Sequence, residues 1–380
     1  MSELNYLEKL LDGAEVEWKS LGDVVDLQRG RRLVRSQLET SGKYAVYQNS
    51  MTPLGYYHEC NVAAKSSFII CAGAAGEIGY SEDEFWAADD VHFAITPENI
   101  NGRFLYHFLL TQKNKISGQV RRASIPRLSK SVLEKLEFPI PCPDNPEKSL
   151  ALQSEIVRIL DTFIALTAEL SAELTIRKKQ YNYYRDQLLS FDDGGAEWKT
   201  LGELAENLDS KRKPITSGLR EAGNIPYYGA SGIVDYVKDY IFNGDFLLVS
   251  EDGANLLARN TPIAFSISGK TWVNNHAHVL KFDTYAERRY VEYYLNSIDL
   301  TTYISGAAQP KLNKKNLESI RIPNPSPEEK ERIVSILDKF DALTNSITEG
   351  LPREIELRHK QYKYYRDMLF SFPKQEVAEA

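Results

Sequence analysis

Apolar positions along the chain follow two rhythms, and the two alternate. Over residues 147 to 191 they fall at Leu152, Ile156, Ile159, Phe163, Leu166, Leu170, Leu174, Tyr181, Tyr184 and Leu188. These steps of three and four, broken only at the polar Arg177, predict one long helix with coiled-coil spacing. A second set repeats it: Ile333, Ile336, Phe340, Leu343, Ile347, Leu351, Ile355, Tyr362, Tyr365 and Leu369. Gly350 and Pro352 interrupt this set and predict a kink or a break between two helices. The remaining segments carry short runs such as SSFIIC, DFLLVS, PIAFSI and HVLKF, bounded by Gly, Asn, Asp and Pro, which predict strands and turns. Each strand-rich segment closes with a short helical stretch, at 103 to 112 and 288 to 297. Both are predicted to be mixed α/β domains with a β core.

The alternation is a repeat of the sequence itself. EWKSLGDV at Trp18 returns as EWKTLGEL at Trp198, a shift of 180 residues. IVRILDTFIALT at 156 to 167 returns as IVSILDKFDALT at 333 to 344, and QYNYYRDQLLSF at 180 to 191 returns as QYKYYRDMLFSF at 361 to 372, with nine of twelve positions identical in each pair. Trp86 pairs with Trp272 and Pro126 with Pro310 in the same order, which a duplication requires. YLEKLLDGAEVEWKSLG at 6 to 22 resembles YRDQLLSFDDGGAEWKTLG at 184 to 202, so the N-terminus supplies the tail of the helical unit and the duplication is circularly permuted. The expected boundaries are 1–14 for that helical segment, 15–143 for the first domain and 144–194 for the first spacer. The second domain follows at 195–327, the second spacer at 328–373 and a tail at 374–380. The fold class is α+β: two pseudo-symmetric domains separated by an antiparallel pair of long coiled-coil-like helices. About 40 helical residues at about 1.5 Å each give a spacer of roughly 60 Å.

Composition narrows the function classes. The 380 residues, 42% hydrophobic and 26% charged, describe a globular chain with room for two cores. No apolar run approaches the length that crosses a bilayer, so a cytoplasmic location without membrane contact is expected. Cys60, Cys71 and Cys142 lack disulfide or metal-type spacing and are expected to be reduced core residues. A net charge of −7 works against nucleic acid unless the cations are locally segregated. They are: Arg29, Arg31, Arg32 and Arg35, then Arg121, Arg122 and Arg127, in the first copy; Lys211, Arg212 and Lys213, then Lys311, Lys314 and Lys315, in the second. Each pair of clusters lies after the opening and before the exit of its domain, which favours phosphate contact over an ordinary solvated surface. Gln48 and Asn49, Tyr228 and Ser231, and Gln309 offer amide, hydroxyl and aromatic groups that could reach base edges, although turn chemistry suits them as well.

Two features imitate catalytic sites. AFSISGKT at 264 to 271 matches a relaxed phosphate loop, but a strand-like segment follows it where a phosphate loop needs a helix, and the partner repeat lacks the Lys. A hairpin turn fits it better. His276 and His278 sit two apart, on one face of a strand, with no third ligand in view, so no metal is expected. No Pro-Pro dipeptide occurs anywhere in the chain, and with it the Asn-Pro-Pro-aromatic motif of adenine methyltransferases is missing.

The EWKxLG openings, YYGASGIVDYV at 227 to 237, GAAQPKLN at 306 to 313, the IPxP exits and the KKQYxYYRDxL helix ends together resemble the specificity subunit of type I restriction-modification systems. The likeness spans essentially the whole chain; GQVRRASIPRLS in the first copy departs from the usual Gly…Gln-Pro pattern. It implies target recognition domains on double-stranded DNA, an asymmetric split target, and a chain with no chemistry and no cofactor of its own. Partners implied are two methyltransferase subunits, which would use S-adenosylmethionine, and restriction/translocase subunits, which would use ATP. The matching helix ends, Tyr183 and Arg185 with Tyr364 and Arg366, are the expected partner-binding residues. The competing functions are a coiled-coil scaffold whose β domains bind proteins, and an NTP-dependent enzyme built on 264 to 271.

Overall fold

The computed structural model describes residues 4–191, 195–306 and 309–374, the side chains of residues 4 to 6 excepted. It divides into two compact units, one running to Leu170 and resuming at Glu354, the other spanning Ser171–Arg353.

In the first unit the opening strand Val16–Ser20 pairs antiparallel with the exit strand Glu137–Pro141. A four-stranded sheet runs in the order Asp26–Arg29, Val91–Ile95, Ser66–Ile70, Ile78–Ser81, and a three-stranded sheet in the order Gly55–Tyr57, Tyr44–Tyr47, Phe85–Ala87. The central strand Ser66–Ile70 is almost wholly buried, because the sheet is covered on both sides. One side meets the helix Gly102–Thr111, capped by Asn101, whose side chain accepts from the amides of Arg103 and Phe104. The core continues into the long helix through Leu152, Ile156 and Leu160, and into Leu369, Phe370 and Phe372. Leu7 and Leu11 of the helix Leu4–Leu11 join that cluster, the packing that a circular permutation demands.

The second unit repeats the plan. Glu197–Thr200 pairs with Arg321–Asn324, and a six-stranded sheet follows the order Glu206–Asn207, Ala277–Lys281, Phe242–Ser250, Ala264–Val273, Ala222–Gly229, Gly232–Val237. The match extends to register: Val46 lies opposite Trp86 in a parallel pair, as Tyr227 lies opposite Trp272. One difference divides the copies. Ala264–Val273 is a single strand, whereas its counterpart is cut into Ile78–Ser81 and Phe85–Ala87 by Glu82, Asp83 and Glu84, leaving two smaller sheets.

This strand also corrects the expectation for 264 to 271: the stretch is strand interior rather than a hairpin turn, with Gly269 paired to Gly244 and no helix at Lys270. Apart from Gly269, at φ +80, the backbone is that of a strand and points successive amides to opposite sides, and no helix N-terminus follows to hold a phosphate.

The first helical region is unbroken from Pro146 to Leu188. The second is two helices, Pro327–Asn345 and Gly350–Leu369. Ser346 Oγ accepts from the amides of Thr348 and Glu349, and Gly350 turns the chain at φ +74, where a Cβ would lie 2.3 Å from the carbonyl oxygen of Ala342. Pro352 then falls in the first turn, where its missing N–H costs nothing. In the first unit Phe163 stacks on Tyr365, with ring centroids 5.1 Å apart, and in the second Tyr184 stacks on Phe340 at 5.7 Å. Of the segments defined from sequence, 192–194 and 375–380 lie outside the described residues, as do Ala307 and Ala308 of the GAAQPKLN stretch. Among the described residues no helix is long and apolar enough to cross a membrane.

Candidate nucleic-acid interface

One member of each basic cluster, far apart in sequence, meets the other at Cys71 in the first domain and at Glu251 in the second. In the first domain Arg29 ends the strand Asp26–Arg29 opposite His92, and its Nε donates to the carbonyl of Asp89 at 2.6 Å. Gly30 follows because the backbone passes so close to Ala88 that a Cβ would meet its carbonyl oxygen at 2.1 Å. The amide of Arg31 donates to Ala87 O, and the Trp86 indole N–H donates to Arg31 O at 3.1 Å, which pins the segment to the sheet. Arg32 and Arg35 continue it on the exposed side.

The second cluster arrives through a backbone bridge between Arg121 and Arg127, extended when Leu128 donates its amide to Cys71 O and Gly73 donates to Pro126 O. Arg29 and Arg127 both lie close enough to Cys71 for their charges to act on its thiol, which burial nonetheless pushes up to about 11. Arg122 lines a shallow depression of about 490 Å³ with Gly73, Ala74, Ser117, Val120 and Pro126. Asn49 borders it, since its carbonyl accepts from the amide of Ala74, and Gln48 precedes it, half-buried.

The second domain repeats the frame of these contacts. Trp272 Nε1 donates to Lys213 O at 2.5 Å, Gly253 to Pro310 O, Leu312 to Glu251 O, and Ser305 bridges Lys311. Lys211, Lys213 and Lys315 are exposed, as are Ser231 and Gln309; Tyr228 is half-buried near Phe265, and burial raises its hydroxyl.

Arg212 corrects the expectation of phosphate contact. Its side chain is only 12% exposed and turns inward, 2.6 Å from Glu251 and 3.3 Å from Asp209, with a further bond to Ala277 O. A guanidinium buried to this degree persists only with acceptors around it. Lys311 is drawn to the same Glu251 at 3.1 Å, and Lys314 is paired with Glu318 at 3.6 Å. Asp209 and Glu251 escaped sequence reasoning. The only local signal was an acid inside a basic run, DSKRK, since Glu251 lies far along the chain.

The histidines separate as well. His276 is exposed and bonds to Asp252 at 2.8 Å, while His278 is buried, with Nδ1 at 2.6 Å from Asp209 and Nε2 at 2.7 Å from Leu312 O. His278, Asp209 and Glu251 could in geometry surround a metal ion, but Arg212 already supplies positive charge to both carboxylates. The three cysteines are free; Cys71 and Cys142 are buried, and Cys60, expected in the core, is half-buried.

At the helix ends, Tyr183 and Tyr364 are exposed and each makes an edge contact with the next tyrosine, at 5.4 and 5.3 Å. Arg185 and Arg366 instead lie back over the rings of Tyr181 and Tyr362 and pair with Asp186 and Asp367. The two copies thus present one tyrosine in the same way and shield one arginine.

Two strand-rich domains of one design, each with a helical exit, define a duplicated fold. The model of the type I restriction modification DNA specificity domain matches residues 14–177 and again 195–357, and the chain belongs to that family. It is 39% identical over 410 aligned residues to the type I restriction enzyme EcoR124I/EcoR124II specificity subunit of Escherichia coli, covering 99% of each chain. A putative type I restriction enzyme specificity subunit of Haemophilus influenzae is 35% identical over 405 aligned residues, with 97% of this chain and 98% of the relative covered. In fold it is similar to the S subunit of a type I restriction-modification system from M. genitalium, with a TM-score of 0.64 and 18% identity over 96% of this chain and 98% of that one.

Proposed function

We propose that this chain is the non-catalytic DNA-recognition subunit of a type I restriction-modification complex, in which each strand-rich domain reads one half of a split, asymmetric double-stranded target. The observation that carries this is the pairing of a frame shared by both copies with unlike faces: the indole-pinned basic segment and the glycine–proline bridge recur, while the groups presented around them differ. Two matching helical exits supply two related docking surfaces, so the chain recruits two methyltransferase subunits and is joined by restriction/translocase subunits. S-adenosylmethionine and ATP chemistry then belong to those partners, and the site of action is the cytoplasm.

Mass measurement of the assembled complex tests the docking claim: two methyltransferase subunits per chain are expected, and one per chain rejects it. Adding four residues, about one helical turn, within the helix Pro146–Leu188 is expected to lengthen the unread gap between half-sites and leave both half-sites intact. Sequencing of methylated adenines reads the outcome, and an unchanged gap rejects a spacer role.

A further inference from the structure

The two domains differ in how the cations at the end of the sheet are compensated. In the second domain Asp209 and Glu251 hold Arg212, Glu251 also pairs with Lys311, and Asp209 bonds to His278, so acids of the fold itself lie against these cations. The frame fixes the matching positions in the first domain. Strand register sets Arg29 against His92 as the chain after Asn207 sets Asp209 against His278, and the bridge to Arg127 leaves Cys71 where the bridge to Lys311 leaves Glu251. Both acids are therefore replaced, one by a cation and one by a neutral thiol. No carboxylate pairs with Arg29, Arg32, Arg121 or Arg127 among the described residues, and His92, 6% exposed, has an Nδ1 without a hydrogen-bond partner there.

We propose that this end of the first domain is a phosphate site for the target DNA, with Arg29 and Arg127 as its ligands and Arg121 beside them. In the second domain its own carboxylates fill the same site. The inference rests on the DNA-recognition reading given above and adds an inequality to it: the first domain carries the larger share of the salt-dependent grip. A strand phosphate near Glu251 meets a carboxylate already bonded to Arg212 and Lys311, whereas a phosphate near Arg127 meets guanidinium groups that form no ion pair among the described residues and can hold it bidentately. Each cation engaged with a phosphate releases counterions, so it contributes about 0.9 to the slope of log K against log salt.

The test measures duplex DNA binding by the full-length chain, with fluorescence anisotropy across roughly 50 to 200 mM salt. Arg29→Ala and Arg127→Ala are each expected to lower the slope by about 1, and Arg127→Lys to keep it. Lys311→Ala, the matching change in the second domain, is expected to lower it less than either alanine variant, because Glu251 already pairs with that ammonium. The double variant R29D/C71E, which gives the first domain the second domain's carboxylates, is expected to lower the slope further than either alanine. Circular dichroism establishes that each variant is folded; if the double variant is not, the alanine pair decides. Equal slopes for wild type and both alanine variants overturn the proposal while leaving DNA recognition standing. Wild type that binds no duplex at any salt overturns the DNA reading and this inference with it. Inorganic phosphate at constant ionic strength that stabilises wild type but neither alanine variant, with unchanged DNA slopes, assigns the site to a free anion and also overturns it.

Discussion

The two junctions between domain helix and long helix occupy equivalent places and solve one problem with different chemistry. In the first unit His107 is fully buried on the helix Gly102–Thr111, with Nε2 at 2.9 Å from Asp161 and Nδ1 at 2.9 Å from the hydroxyl of Tyr362, while Arg103 holds the same aspartate at 3.0 Å. In the second unit Tyr293 stands at the histidine's place and donates to Asp338 at 2.6 Å. Arg289 adds bonds to Asp338, Asp341 and Glu292. Burial pushes Asp161 up, but the hydrogen bond from His107 and the charge of Arg103 carry it below the usual carboxylate range. Burial holds Glu292 above that range despite Arg289. An aspartate on the long helix is thus the shared fixture, and its ring partner is free to change.

Removing that fixture where most groups depend on it has the largest expected effect. Asp338→Ala deprives Arg289, Tyr293 and Tyr285 of an acceptor together and is expected to cost about 3 kcal/mol in denaturant unfolding. A loss below that of Asp161→Asn breaks the ranking of the two junctions. Asp161→Asn, which keeps the shape but not the charge, is expected to cost about 2 kcal/mol. The helix break sharpens the comparison next. Gly350→Ala forces a Cβ into left-handed backbone beside the carbonyl of Ala342 and is expected to cost about 1 to 2 kcal/mol, whereas Ala168→Gly in the unbroken helix costs about 1.

The smallest effect is one of pH. Burial lowers His107 below the ordinary histidine value of 6.5, against the pull of the Asp161 hydrogen bond. The unfolded chain therefore takes up a proton near 6.5 that the folded chain takes up only at lower pH, so this contribution is complete above 6.5 and fades as pH falls below it. His92, also lowered by burial and by the charge of Arg29, acts in the same direction. His107→Tyr, which copies the second junction, is expected to lose less of its thermal midpoint than wild type on acidification through that window; equal losses remove His107 from the account.

Local signals in the sequence made the helices legible. Steps of three and four predicted Pro146–Leu188, and Gly350 with Pro352 predicted the interruption that separates the last two helices. The duplication gave the shared frame because it compares the chain with itself. Charge partners were not legible, since Arg212 turns inward only because Glu251, on a different strand, waits beside Asp209. The stretch 264 to 271 departs from the expected hairpin turn for a related reason: it pairs with residues 242 to 249, Gly269 opposite Gly244, and such a partner leaves no local mark.

The indole contacts have a spectroscopic consequence. Of four tryptophans in the chain, Trp86 and Trp272 each donate to the basic segment of their own domain. A variant in which Trp18, Trp198 and one of this pair are replaced emits from a single domain, so occupancy of either half can be followed by native fluorescence without a dye, and a titration resolves which half engages first.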